Sequence, residues 1–124
     1  MRLKLATSCV AAIPFLVGAA EPSYYRDVRP ILNRSCTSCH QPAVKSSGLD
    51  LTTYAGFQAG GKRGPAFVSG SPEQSLAVKF ITWTMQPYMP LSGPALPDRE
   101  IDTIREWIKS SAAKEWTERH AMAQ

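Results

Sequence analysis

Apolar residues near the end of the chain recur at Ile101, Ile104, Trp107 and Ile108, a spacing of i, i+3, i+6 and i+7. That period places all four on one face of a helix. Pro97 suits its start, and Asp98 and Glu100 suit the positive end of its dipole. A second helix is predicted over Tyr24 to Arg34, capped by Ser23 and with Tyr25, Val28 and Leu32 along one side. Pro30 lies inside it and removes a backbone donor, which predicts a kink or a late start. A third helix is predicted from Ser71-Pro72-Glu73-Gln74 to about Ile81. There Ser71 caps, Pro72 takes the first helical position and Gln74 completes a capping box, with Leu76, Phe80 and Ile81 inward.

The stretches between these elements carry no strand alternation. From Gln41 to Gly70 the chain is rich in Gly, Ser and Pro, which predicts a long loop with a single turn near Thr52 to Phe57. A loop of that length in a small domain needs a reason, and wrapping a cofactor is a sufficient one. Pro87, Pro90 and Pro94 make Trp83 to Pro94 extended or turning. The expected fold is all-α, three to four short helices, with the terminal helices packed together and Tyr25 and Trp107 as the contact between them.

Before the first helix the chain has the marks of an export signal. Arg2 and Lys4 precede an apolar run from Leu5 to Val17, broken only by Thr7, Ser8 and Pro14, and Gly18-Ala19-Ala20 offers small residues for cleavage before Glu21. The run falls short of the ~20 apolar residues that span a bilayer. Residues 1–20 are thus expected to be removed, Cys9 with them, leaving 21–124 as one domain with a short tail from about 111. The protein is expected in the periplasm or otherwise exported, with no membrane attachment after cleavage. Arg2 and Lys4 account for half of the net charge of +4, and the other basic residues are scattered apart from Lys62-Arg63. Such a balance does not point to nucleic acid.

The chemistry concentrates in Cys36-Thr37-Ser38-Cys39-His40, the CxxCH signature of covalent c-type haem attachment. Residues three and four apart share one side of a helical turn, so both thiols can reach the vinyl groups of one porphyrin while His40 presents a nitrogen to iron. A structural zinc site would need four ligands, and Cys9 and His120 are the only further Cys or His, one near each end. A thioredoxin-type dithiol would sit near a βαβ pattern, which is absent. With Cys9 removed, both remaining cysteines are used by one haem c and none is left to form a structural disulfide.

The second face of the iron decides between electron transfer and ligand chemistry. A thioether is the usual filler, and Met85 and Met89 are the methionines outside the leader and the tail. Met89 is favoured, because Pro87 and Pro90 bracket it in a stiff segment; Met85, His120 and an empty position remain open. The other ring nitrogen of His40 needs an acceptor, with a backbone carbonyl near Pro65 or Pro42 as the expectation. Gly60-Gly61 and Gly64 would allow backbone to approach the porphyrin edge closely.

Beyond CxxCH, the segments Tyr25 to Leu32, Gly48 to Leu51, Gly64-Pro65, Gly70 to Leu76, Met89-Pro90 and Glu100-Ile101 to Trp107-Ile108 occur in an order that resembles the planctomycete-type cytochrome c domain. The resemblance runs from about Tyr24 to Ile108. It implies a class I-like monohaem fold with His40 proximal and Met89 distal, in an electron-transfer role rather than an enzymatic one. The expected partners are a redox-protein donor and acceptor that dock transiently on a monomer. The competing expectation is an open-site haem protein, either a small-ligand sensor or a peroxidase-like enzyme.

Overall fold

The computed structural model describes Gly18 and residues 20–110. The expected signal segment, Cys9, the tail from 111, His120 and Met122 lie outside the described residues apart from Gly18 and Ala20. Within them the chain forms four α-helices: α1 Arg29–Ser35, α2 Tyr54–Ala59, α3 Leu76–Ile81 and α4 Asp98–Lys109. A π-helical turn, Tyr24–Val28, leads into α1, and 3₁₀ turns occupy Ser46–Gly48 and Pro72–Gln74. No strand forms among the described residues, so the all-α expectation holds; one isolated bridge joins Gly61 and Gly64. None of the described helices is long and apolar enough to cross a membrane.

The entry to α1 differs from the simple helix expected. Ser23 caps the π turn by accepting from the Arg26 N–H at 3.5 Å, and Asp27 returns the contact by accepting from the Ser23 N–H at 2.6 Å. That carboxyl is held below its usual range first by Arg26 and then by the Ser23 N–H. The contribution of this cap is therefore present above the ordinary Asp range and fades as pH falls through the depressed value. A π turn is wider than an α turn, so the inward stripe runs through Tyr24 and Val28 to Ile31 and Leu32. Tyr25, expected inside, is instead half exposed, with Arg29 over its ring. The contact expected between Tyr25 and Trp107 is made by Tyr24 and Trp107, 5.5 Å between ring centroids.

Helix α4 follows its sequence pattern closely. Pro97 precedes it, Asp98 and Glu100 sit in its first turn, and Ile101, Ile104, Trp107 and Ile108 are buried. Trp107 stacks on Phe57 of α2 at 6.0 Å, meets Phe67 edge-on at 5.0 Å and Tyr54 at 6.1 Å. This aromatic block ties the π turn, α2 and α4 into one core. Truncating Trp107 to Ala should cost about 3–5 kcal/mol, a large share of a small domain's ~5–15 kcal/mol. Denaturant unfolding should show the midpoint fall; an unchanged midpoint would remove Trp107 from the core's energetics. Tyr24 contributes its ring here, while its buried hydroxyl finds no hydrogen-bond partner. Burial is the main reason its phenol is pushed up to about 12, so it stays neutral.

The third expected helix is broken in two. Pro72–Gln74 makes only a 3₁₀ turn, Ser75 is extended with ψ 127°, and α3 begins at Leu76. Ser71 supplies no side-chain cap. Ser75, fully buried, does not cap α3 with its side chain either: its hydroxyl accepts from the Val68 N–H and donates to the Ser71 carbonyl, both at 2.9 Å. Residues around Ala66 and Val68 thereby lie against the start of α3. Val78 is buried on the core side, and Leu76, Phe80 and Ile81 border the cavity described next.

Candidate functional site

A cavity of about 230 Å³ opens between α1, α3, α4 and the long loop. Its walls are mainly apolar, with Leu32, Leu51, Phe57, Ile81 and Ile104 among them. Cys36, Cys39, His40 and Met89 all border it. These four come from two segments, and their meeting is set by the local fold of each.

Cys36 ends α1, its N–H bonded to the Leu32 carbonyl at 2.8 Å. The next turn is closed by the His40 N–H donating to the Cys36 carbonyl at 3.1 Å, the i to i+4 bond that brings the two cysteines and the histidine to one side. The Arg34–Glu100 ion pair fastens this end of α1 to the start of α4. Cys36 is half-buried and Cys39 exposed. Burial, assisted by Cys39 and Glu100, pushes the Cys36 thiol up to about 11. A dithiol redox centre works through a low-pKa thiolate, so this environment argues against that chemistry.

His40 is buried, and its ring nitrogen Nδ1 lies 3.1 Å from the Ser46 carbonyl oxygen. A carbonyl can only accept, so Nδ1 carries the proton and donates. Nε2 is then the nitrogen with the lone pair, the form that binds metal. The acceptor differs from the expected carbonyl near Pro65 or Pro42. The chain after Gln41 folds straight back, with the Ser46 N–H bonded to the Cys39 carbonyl at 3.0 Å and the Leu51 N–H to the His40 carbonyl at 2.9 Å.

The loop after α2 supplies another wall. Gly60 has φ +72° and ψ −164°, a region open essentially to glycine, and a Cβ there would collide with the Gly64 carbonyl. Gly61 and Gly64 pair across the turn and both border the cavity. Lys62 and Arg63 border it too, and Arg63 donates to the Gln86 carbonyl at 3.0 Å. That bond joins the loop after α2 to the segment carrying Met89, a link that no window of sequence reveals.

Of the two methionines, only Met89 borders the cavity. Met85 closes a turn instead, its N–H bonded to the Lys79 carbonyl at 3.2 Å. The lining contributed by residues 76–104 has no imidazole, hydroxyl or carboxyl. Among the described residues no group of three or more His, Cys, Asp and Glu comes together.

Residues 36–92 match the family model described as planctomycete cytochrome C. Over these residues the chain matches a cytochrome c domain of this family. The match begins at Cys36 and ends just beyond Met89-Pro90, so it spans both segments that border the cavity. Comparison with curated proteins and with solved structures gives no match. A cytochrome c domain is a haem-binding, electron-transfer module, and the residues present fit that group. They offer two thiols, a lone-pair imidazole nitrogen and a thioether around an apolar space, with two cations at its border for the carboxylates of a porphyrin.

Proposed function

We propose that this cytochrome is an exported monohaem carrier of single electrons between redox proteins. Cys36 and Cys39 would hold one haem through thioethers, and His40 and Met89 would ligate its iron. The observation that carries the proposal is the convergence of these four side chains on one apolar cavity. Haem supplies an iron that alternates between ferrous and ferric states.

The chain's own residues decide how that iron behaves. The Ser46 carbonyl fixes the tautomer and orientation of His40 and raises its basicity. Met89 offers a soft thioether, which favours the ferrous state and fills a position that a small ligand would otherwise take. The wall formed by Phe80, Ile81 and Leu96 is apolar and offers no side-chain proton donor on that side. Peroxidase-like chemistry needs polar distal groups, and this wall offers none.

The exposure of Cys39 supports an attachment edge at the surface, where a donor or acceptor would dock over a small, transient interface. Export through residues 1–20 supplies the oxidising compartment in which c-type haem is attached, and the mature chain acts there as a monomer.

Intact mass tests export, haem number and covalency together. Produced in a bacterium with haem-attachment machinery, the periplasmic protein should have the mass of residues 21–124, or a chain starting within a few residues of Glu21, plus one haem. Full-length mass in the membrane fraction would make the first segment an anchor. A processed chain without the added mass would contradict covalent attachment.

A further inference from the structure

Trp83 lies just past the end of α3 with φ +58°, the left-handed region where glycine is the usual residue after a helix. An indole at such a position carries backbone strain, and the fold keeps it only where the side chain returns more. Two contacts account for that return. The ring stacks on Tyr88, 5.5 Å between centroids and 14° between planes. The indole Nε1–H donates to the carbonyl oxygen of Met89 at 3.0 Å.

Met89 is held from its other side as well. Its N–H donates to the Phe80 carbonyl in the last turn of α3 at 3.1 Å. Both backbone polar groups of Met89 are thus bonded, one by α3 and the other by the indole, and the residue before it is held by the stack. Pro87 and Pro90 restrict the backbone but have no N–H with which to anchor it. The α3 backbone holds the Met89 N–H, and the Met89 carbonyl is held by the Trp83 side chain.

We infer that Trp83 is a positioning residue for the distal ligand: its indole N–H and ring hold the Met89 backbone so that the thioether stays on the cavity. The inference rests on Met89 being that ligand. Its consequence is kinetic, because an outside ligand can enter only while the 83–89 loop is open, and entry scales with the open fraction.

The test is carbon monoxide uptake by the reduced holoprotein, followed by rapid mixing, with melting temperature measured alongside. Trp83→Phe keeps a ring for Tyr88 and loses the donor. Uptake should rise about fivefold, the factor that one ordinary hydrogen bond is worth. Trp83→Gly relieves the backbone strain and removes both contacts, so it should rise by about tenfold or more while still folding. Uptake at the wild-type rate in both variants, whatever their melting temperatures, would overturn the inference and leave Trp83 an ordinary packing residue. Met89→Ala separates the two levels. If it admits carbon monoxide freely while the Trp83 variants do not, only the positioning role fails. If it leaves uptake unchanged, the ligand assignment fails, and the role of Trp83 with it.

Discussion

Replacing Cys36 and Cys39 together by Ala should abolish covalent haem and leave a chain that is largely unfolded and degraded in the cell. The cavity of about 230 Å³ lies in the middle of a small domain and borders all four helices. At ~24 cal/mol per Å³, an apolar space of that size left unpacked would cost at most about 5.5 kcal/mol, less where it opens to water, against the ~5–15 kcal/mol of a whole small domain. Filling it with a tethered porphyrin would remove that cost, so attachment of the cofactor would stabilise the folded chain. Haem staining of a denaturing gel and far-ultraviolet circular dichroism read the two halves of the prediction. A double variant that remains helical and stable without haem would show that the aromatic block around Trp107 organises the fold unaided.

Met89→Ala should open one face of the iron. The ferrous variant should bind carbon monoxide readily, and its reduction potential should fall by on the order of a hundred millivolts, a fraction of the ~0.8 V over which axial ligands act. The direction follows from chemistry: a soft thioether stabilises ferrous iron more than the water that replaces it. Met85→Ala is the matched control. Met85 is half-buried away from the cavity, so its loss should cost under about 2 kcal/mol of packing and leave the ligation spectrum unchanged. The opposite pattern, with the Met85 variant open and the Met89 variant silent, would move the ligand and leave the carrier role standing.

What could be read from the sequence was what is local. The α4 stripe was legible because Ile101 to Ile108 keeps an unbroken helical period, and the CxxCH turn because its three functional side chains lie within five residues. Tyr24 and Tyr25 were harder to tell apart. Both are aromatic neighbours, and only the wider π turn decides which one lies on the inward stripe with Val28. The break at Ser75 was hidden because Ser71-Pro72-Glu73-Gln74 carries a sound capping pattern. A buried hydroxyl bonded to Val68 and Ser71 outweighed it, and no window of sequence shows that burial.

The site divides in the same way. Cys36, Cys39, His40 and Met89, which all border the cavity, were named in advance, while the contacts that aim them were not. Ser46 orients His40 through a backbone carbonyl, which any residue type could supply, so nothing in its identity signals the role. Arg63 and Trp83 reach backbone atoms of Gln86 and Met89 across folded loops. Trp83 and its left-handed backbone could be recognised only once the end of α3 was fixed.

His40 and Met89 together would make the haem iron six-coordinate. The most direct measurement is the visible spectrum of the protein matured in a periplasm, recorded oxidised, reduced, and reduced under carbon monoxide. The expected spectra are low-spin in both redox states and change little on adding the gas, because Met89 would already occupy the sixth position. Ready formation of a carbon monoxide complex by the unaltered protein would contradict that ligation and point to an open-site sensor or enzyme.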